Sequence, residues 1–361
     1  MDRLVWKWSW CVWLSLFGLP VACDDEGNDD EGDGDEDGEE TSTDSSSGEQ
    51  SSACMTDEDC PMDYECSDAE CIYVPPPYWV VGADGTVLRA TFGDAELEPA
   101  PIDADLRAIA CRGELDAWVV GDHGTLLRSA DGGLSWNGLD TELQTAIAAV
   151  AASEGAVYAA GEAGVLLASA DGNAPFTRVP AGIADDITGV ATDRTGTRVW
   201  LTTVGGSVWL HDADDENVTQ QLSTSTALSD VDVAWDASLV VAVGTDGAIW
   251  TSEQGDGVWQ ALDAGIDSDL HAVQVAADGR TIVVVGEAGI IVRVEDGTSE
   301  VLDVGDVDLR GLHIHADGSG AVVGDDGTLL VTRDQAHSFA ALATGVRRDL
   351  LGVDAIGRPH L

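Results

Sequence analysis

The side chains with the clearest capacity for chemistry are carboxylates that return at one place in a repeated phrase. Asp84, Asp122, Glu162, Asp246, Glu287, Asp325 and Asp326 each lie between the two glycines of a V-G-x-x-G unit. Carboxylates gathered at a concave mouth add their fields and concentrate positive ligands. Such a set could hold a divalent cation or a basic segment. Arg107, His271 and Arg310 stand near the starts of apolar runs in the same repeats, where they could balance that acid or ligate an anion. The plainer reading is that solvated turns tolerate acids, and that a lone histidine in such a place is a satisfied structural residue. No H-x-x-x-H, H-E-x-x-H or nucleophile-elbow pattern occurs, so no catalytic residue and no cofactor is indicated, and metal binding is left open.

Cysteine is the second chemical group. Cys54, Cys60, Cys66 and Cys71 form a C-x5-C-x5-C-x4-C cluster. Too few residues separate them to bury a core, so in an exported chain they read as two disulfides. Three pairings are open, of which the interlaced one (54–66 with 60–71) is preferred. Zinc is the alternative, although the cluster contains no histidine. Cys111 lies in an apolar strand pattern and reads as a small buried hydrophobe.

Export follows from the first residues. Arg3 and Lys7 precede the apolar run WSWCVWLSLFGL and then Pro20-Val21-Ala22-Cys23. A positive start, a short apolar stretch and a small residue before the break make a signal peptide over residues 1–22. The run is too short for a permanent span. Leu19–Cys23 resembles a bacterial lipobox, with Pro20 where that motif has leucine. The resemblance implies a lipidated Cys23 as the new N-terminus and a place in the cell envelope; cleavage near Ala22 with a free Cys23 thiol and plain secretion is the alternative. Residues 23–53 are acidic and polar with almost nothing apolar, which predicts a disordered, extended tether. A Cys-rich module and proline joint follow at 54–77.

The charge narrows the partners. The chain carries 67 acids against 16 bases, a net −51, and Lys7 is its one lysine. Nucleic acid is excluded, because phosphate recognition needs clustered positive charge. An anionic lipid surface is equally unsuited, so membrane contact is expected through the lipid alone. A protein with a basic segment, or a divalent cation, suits the surface; otherwise the acid only keeps the chain soluble.

The elements that place these groups are repeats. The second glycine of the unit falls at 85, 124, 164, 206, 247, 289 and 327, a spacing of 38–42 residues. The fourth copy (TTVGGSVWL, 202–210) has Thr203 in place of the first glycine. Seven copies rich in Val, Ile and Gly predict an all-β, seven-bladed β-propeller over 78–361. Each blade reads as four strands, with glycine supplying positive φ at the hairpin that ends in V-G. The first copy lacks an inner strand of its own. Leu350-Leu351-Gly352-Val353-Asp354-Ala355 fits the inner-strand pattern and should close the ring beside Tyr78–Gly82.

A further signature lies between third and outer strands. Ser129, Asp131, Gly133 and Trp136 fit S-x-D-x-G-x-[ST]-W, with looser copies at Ser169–Phe176, Ser252–Trp259 and Thr332–Phe339. Ser and Asp there bond the turn's own backbone, and the aromatic residue fills the space between blades. With both signatures, residues 78–361 resemble the BNR/Asp-box propellers, and the repeat at 308–339 is similar to that of photosystem II stability/assembly factor-type proteins. The resemblance implies a non-catalytic protein-binding scaffold. The basic patches of that type have no counterpart in this acidic chain. The alternative is a secreted glycoside hydrolase of the Asp-box propeller type, which would need convergent, buried carboxylates in a deep pocket. No tyrosine follows Tyr158, which disfavours a sialidase.

Overall fold

The computed structural model describes residues 64–67, 70–73, 77–98, 102–173, 175–255 and 257–355. The signal peptide, Cys23, the tether, Cys54 and Cys60 lie outside the described residues. So do the side chains of Cys66 and Cys71, and with them the disulfide pairing. Tyr64–Ser67 and Glu70–Tyr73 form a two-stranded antiparallel hairpin whose register sets Cys66 opposite Cys71.

Seven four-stranded antiparallel sheets make the rest, as the repeat count predicts. Blade 1 is Leu350–Ala355, Tyr78–Gly82, Val87–Ala90 and Ala95–Leu97 from the channel outward. Blades 2 to 7 follow in chain order, with inner strands Leu106–Arg112, Ile147–Ala152, Ile187–Thr192, Leu228–Val233, Leu270–Val275 and Leu309–Ile314. Each inner strand touches the next, and the strand of blade 1 touches that of blade 2, which closes the circuit. In blade 1, Leu350–Ala355 pairs with Tyr78–Gly82, so strands from both ends of the propeller meet in one sheet.

The second strands are apolar without alternation because both of their faces are covered by neighbouring blades. Tyr78–Gly82, Val157–Gly161, Ile282–Gly286 and Gly320–Gly324 are buried at every position. The apolar clusters accordingly bridge consecutive blades, for example blades 3 and 4 through Tyr158, Leu166, Ile187 and Leu201.

The glycines of V-G-x-x-G do two different jobs, which corrects the reading of the hairpin. The first is extended, as at Gly121 with φ −174°. It is needed because a Cβ would sit 2.1 Å from the carbonyl oxygen of Asp105. Positive φ belongs to the second glycine, Gly124 at +72°, and to the residue before it, His123 at +57°. Every inner strand also has a register shift at its second residue. Such a bulge re-aims a side chain.

The propeller therefore has two ends. The turn face holds the second-to-third strand turns and the starts of the inner strands. The box face holds the third-to-outer loops and the ends of the inner strands. Tyr78 and Ala355 are cross-strand partners, and both lie at the box face.

Candidate functional site

The rim carboxylates all reach the turn face, but they occupy two successive turn positions and not one equivalent position. Asp122, Glu162, Glu287 and Asp325 open their turns. Asp84, Asp246 and Asp326 come one residue later, in left-handed backbone with φ of 52°, 57° and 57°. Nor is the rim uniformly bare. The bulge aims Arg107 and Arg310 outward, so that Arg107 Nε meets Asp122 at 2.6 Å and Arg310 Nη2 meets Asp325 at 2.8 Å and Asp308 at 3.1 Å. Arg348 adds an ion pair to Asp84 at 3.2 Å. The hydrogen bonds from Arg310 hold the Asp325 carboxyl below its ordinary range, and Asp325 in turn raises the Arg310 guanidinium. His271 is another bulge residue; its Nδ1 lies 2.9 Å from the carbonyl of Leu309 in blade 7. The arginines thus balance acid, and His271 has a structural contact.

A second ring of acids, absent from the sequence reading, ties the blades together at this face. The backbone N–H of Asp84, Ala163, Asp246, Ala288 and Asp326 donates to the carboxylates of Asp105, Asp186, Asp269, Asp308 and Asp349 at 2.8–3.1 Å. Each acceptor belongs to the next blade and directly precedes an inner strand. The signal was an Asp followed by Leu or Ile at the head of five inner strands.

The resulting charge is lopsided. Arg107, Arg310, Arg347 and Arg348 stand on blades 7, 1 and 2. The turns and inner-strand starts of blades 3 to 6 contain no arginine, and their one histidine, His271, is held against blade 7. Glu162, Asp185, Asp186, Asp246, Asp267 and Glu287 are exposed along that arc. Glu162 accepts the N–H of Ala146 at 3.2 Å. Among the described residues, no ion pair engages the side chains of Asp246, Glu287 or Asp326.

On the box face, the Ser129 Oγ accepts the N–H of Gly133 at 2.8 Å and donates to Asp131 at 2.8 Å. Asp131 also accepts the N–H and hydroxyl of Ser135 at 2.9 and 2.6 Å, and these bonds hold its carboxyl low. Trp136 packs edge-on to Trp79 of blade 1, ring centroids 6.2 Å apart. In the copy where Gln254 replaces the aspartate, the buried Ser252 Oγ finds no partner among the described residues.

The polar side chains inside the channel were not among the residues the sequence singled out. At the fifth inner-strand position the blades carry Ala110, Ala151, Ala191, Asp232, Gln274, His313 and Asp354 in order from blade 2. Three alanines leave room opposite four polar side chains. A cavity of about 330 Å³ results, running from mid-channel to the box face. Burial raises Asp230 and Asp232 to about 7. Burial would also raise Asp354, but His313, 2.7 Å away, outweighs it and the carboxyl stays below its usual range. Burial, and then the charge of Asp354, push the Cys111 thiol up. Asp230, Asp232 and Asp354 each accept a backbone N–H from the next blade, those of Val273, Val275 and Cys111, at 3.0, 2.7 and 2.7 Å. Aligned inner strands would have revealed the set; a strand-by-strand reading hid it. No cluster of metal-ligating side chains occurs among the described residues.

No known family's sequence profile matches the chain, and no curated protein matches it. Solved structures do resemble it. The structure described as YCF48 bound to D1 peptide aligns at TM-score 0.56 and 16% identity, over 74% of this chain and 87% of that one. YCF48 from Cyanidioschyzon merolae aligns at 0.60 and 19%, over 72% and 92%. The WD40 β-propeller domain of Doa1 aligns at 0.60 and 12%, over 79% and 91%. At such identities the likeness is one of fold.

Proposed function

We propose that this protein is a non-catalytic binding scaffold of the cell envelope, displayed as a lipoprotein, which receives a basic protein segment on the turn face. The observation that carries the reading is the acidic arc of blades 3 to 6, which no arginine balances, whereas Asp84, Asp122 and Asp325 of the opposite blades each face an arginine. A partner's lysines and arginines would meet uncompensated carboxylates there. The solved complex of YCF48 with a D1 peptide supports the reading, since a propeller of similar fold binds a peptide. Exposed pairs are individually worth about 0.2–1 kcal/mol, so affinity comes from number and falls with salt.

The test is titration of the full chain with a labelled oligo-lysine peptide at two ionic strengths. The variant D246N/D267N/E287Q should bind about tenfold more weakly, from three pairs of roughly that strength. D84N/D122N/D325N, whose acids already face arginines, should lose much less. Equal losses, or binding indifferent to salt, would leave the acid as a solubilising device only. A glycoside hydrolase is the second reading, because Asp230, Asp232 and Asp354 share one cavity. Each is already bonded to a neighbouring inner strand, and no tyrosine lines the cavity. Turnover of aryl glycosides, lost in D232N, would favour it.

A further inference from the structure

We propose that the channel between blades 5, 7 and 1 is a proton-operated charge switch, in which Asp230 and Asp232, side by side in one cavity, pass between neutral acids and carboxylates that no cation pairs. The geometry makes the case by comparison within the molecule. Asp232 and Gln274 hold the same strand position in adjacent blades and do the same work. Asp232 takes the N–H of Val275. Gln274 takes the N–H of Ile314 at 2.6 Å and returns an N–H to its carbonyl at 3.1 Å. An uncharged amide therefore suffices to staple one inner strand to the next. What the two acids add is the ability to titrate.

The surroundings offer them little compensation. Blade 4 faces them with Gly189, whose added Cβ would lie 2.8 Å from Asp230 Oδ1, and blade 6 with uncharged residues. Blade 7 contributes His313 and His315; His313 is bonded to Asp354 of blade 1 at 2.7 Å, and its charge lowers Asp232 by less than burial raises it. In blade 2, Cys111 is a thiol, and Arg112 is turned onto the carbonyls of Ser153 and Asp171 at 3.2 and 2.9 Å. Glu154 of blade 3 is paired with Arg194 at 2.9 Å. Ionisation thus places two further negative charges beside Asp354, in a cavity where water is confined. Burial accordingly puts both titrations near 7. The folded protein keeps protons that the unfolded chain releases from about pH 4 upward, so stability falls as pH rises from about 4 to 7 and levels off above. Above neutrality the cavity is an anionic pocket that opens at the box face.

The experiment follows the aspartate side-chain carboxyls of the labelled full chain by carbon NMR from pH 3 to 9, with thermal midpoints at each pH. Two carboxyls titrating between pH 6 and 8 are expected, with a midpoint that declines across the acid range. D230N/D232N should remove both titrations and flatten the decline. Two outcomes would overturn the proposal: every aspartate titrating below pH 5.5, or a double variant with the parent's slope. If the double variant does not fold, the titration of the parent alone decides.

Discussion

Gly133 shows how tightly single residues are coupled between blades. It has φ +84°, and a Cβ there would lie 2.3 Å from the ring of Trp79. Gly172 meets Trp118 and Gly255 meets Trp200 in the same way. In blade 7 the position is Ala336, buried in one cluster with Val283 of blade 6, where the others have tryptophan. The box residue and the aromatic thus trade volume. Gly133→Ala should cost about 2–4 kcal/mol, from left-handed strain and overpacking together. Adding Trp79→Val should return part of that loss, although Trp79→Val alone is destabilising. Urea unfolding of the four forms measures the coupling; additive losses would show that the two positions are independent.

Among elements, the bulge and the aspartate before it organise each inner strand. Asp269 caps the left-handed turn of blade 5 through the N–H of Asp246 at 2.9 Å, whereas Asp267 is exposed two residues earlier. Asp269→Ala should lower stability by about 1 kcal/mol, and Asp267→Ala should change it by less than about 0.5 kcal/mol. Equal effects in denaturant midpoints would remove the capping role. This pair also marks what could be seen in advance. Seven glycine turns at regular spacing sufficed for the blade count, because backbone close to a neighbouring carbonyl admits no other side chain. The acids of the rim were visible as a group. Their division into arginine-paired and bare was not, since it depends on where each bulge points a side chain. The channel acids were hidden for another reason: Asp230 and Asp232 interrupt an apolar strand in a chain already crowded with acid, and only the ring sets them beside His313 and Asp354.

For the whole molecule, the proposed anchor and the fold make one connected statement. If Cys23 carries lipid, Cys23→Ser should move the protein from the membrane fraction to the soluble one; an unmodified, soluble parent protein would remove the anchor from the reading. The chain from the anchor would then enter the propeller at Tyr78, on the box face, by way of the Cys-rich module. The strand that begins at Tyr78 is paired on both sides, with Leu350–Ala355 and with Val87–Ala90. A partner held at the turn face while the membrane holds the tether would pull along that strand. Its hydrogen bonds to both neighbours would then bear the load together in shear and could not be peeled one at a time. The lifetime under such tension is set by the rate of forced unfolding. The joint where the ring closes is therefore also where the fold would resist being drawn off a surface.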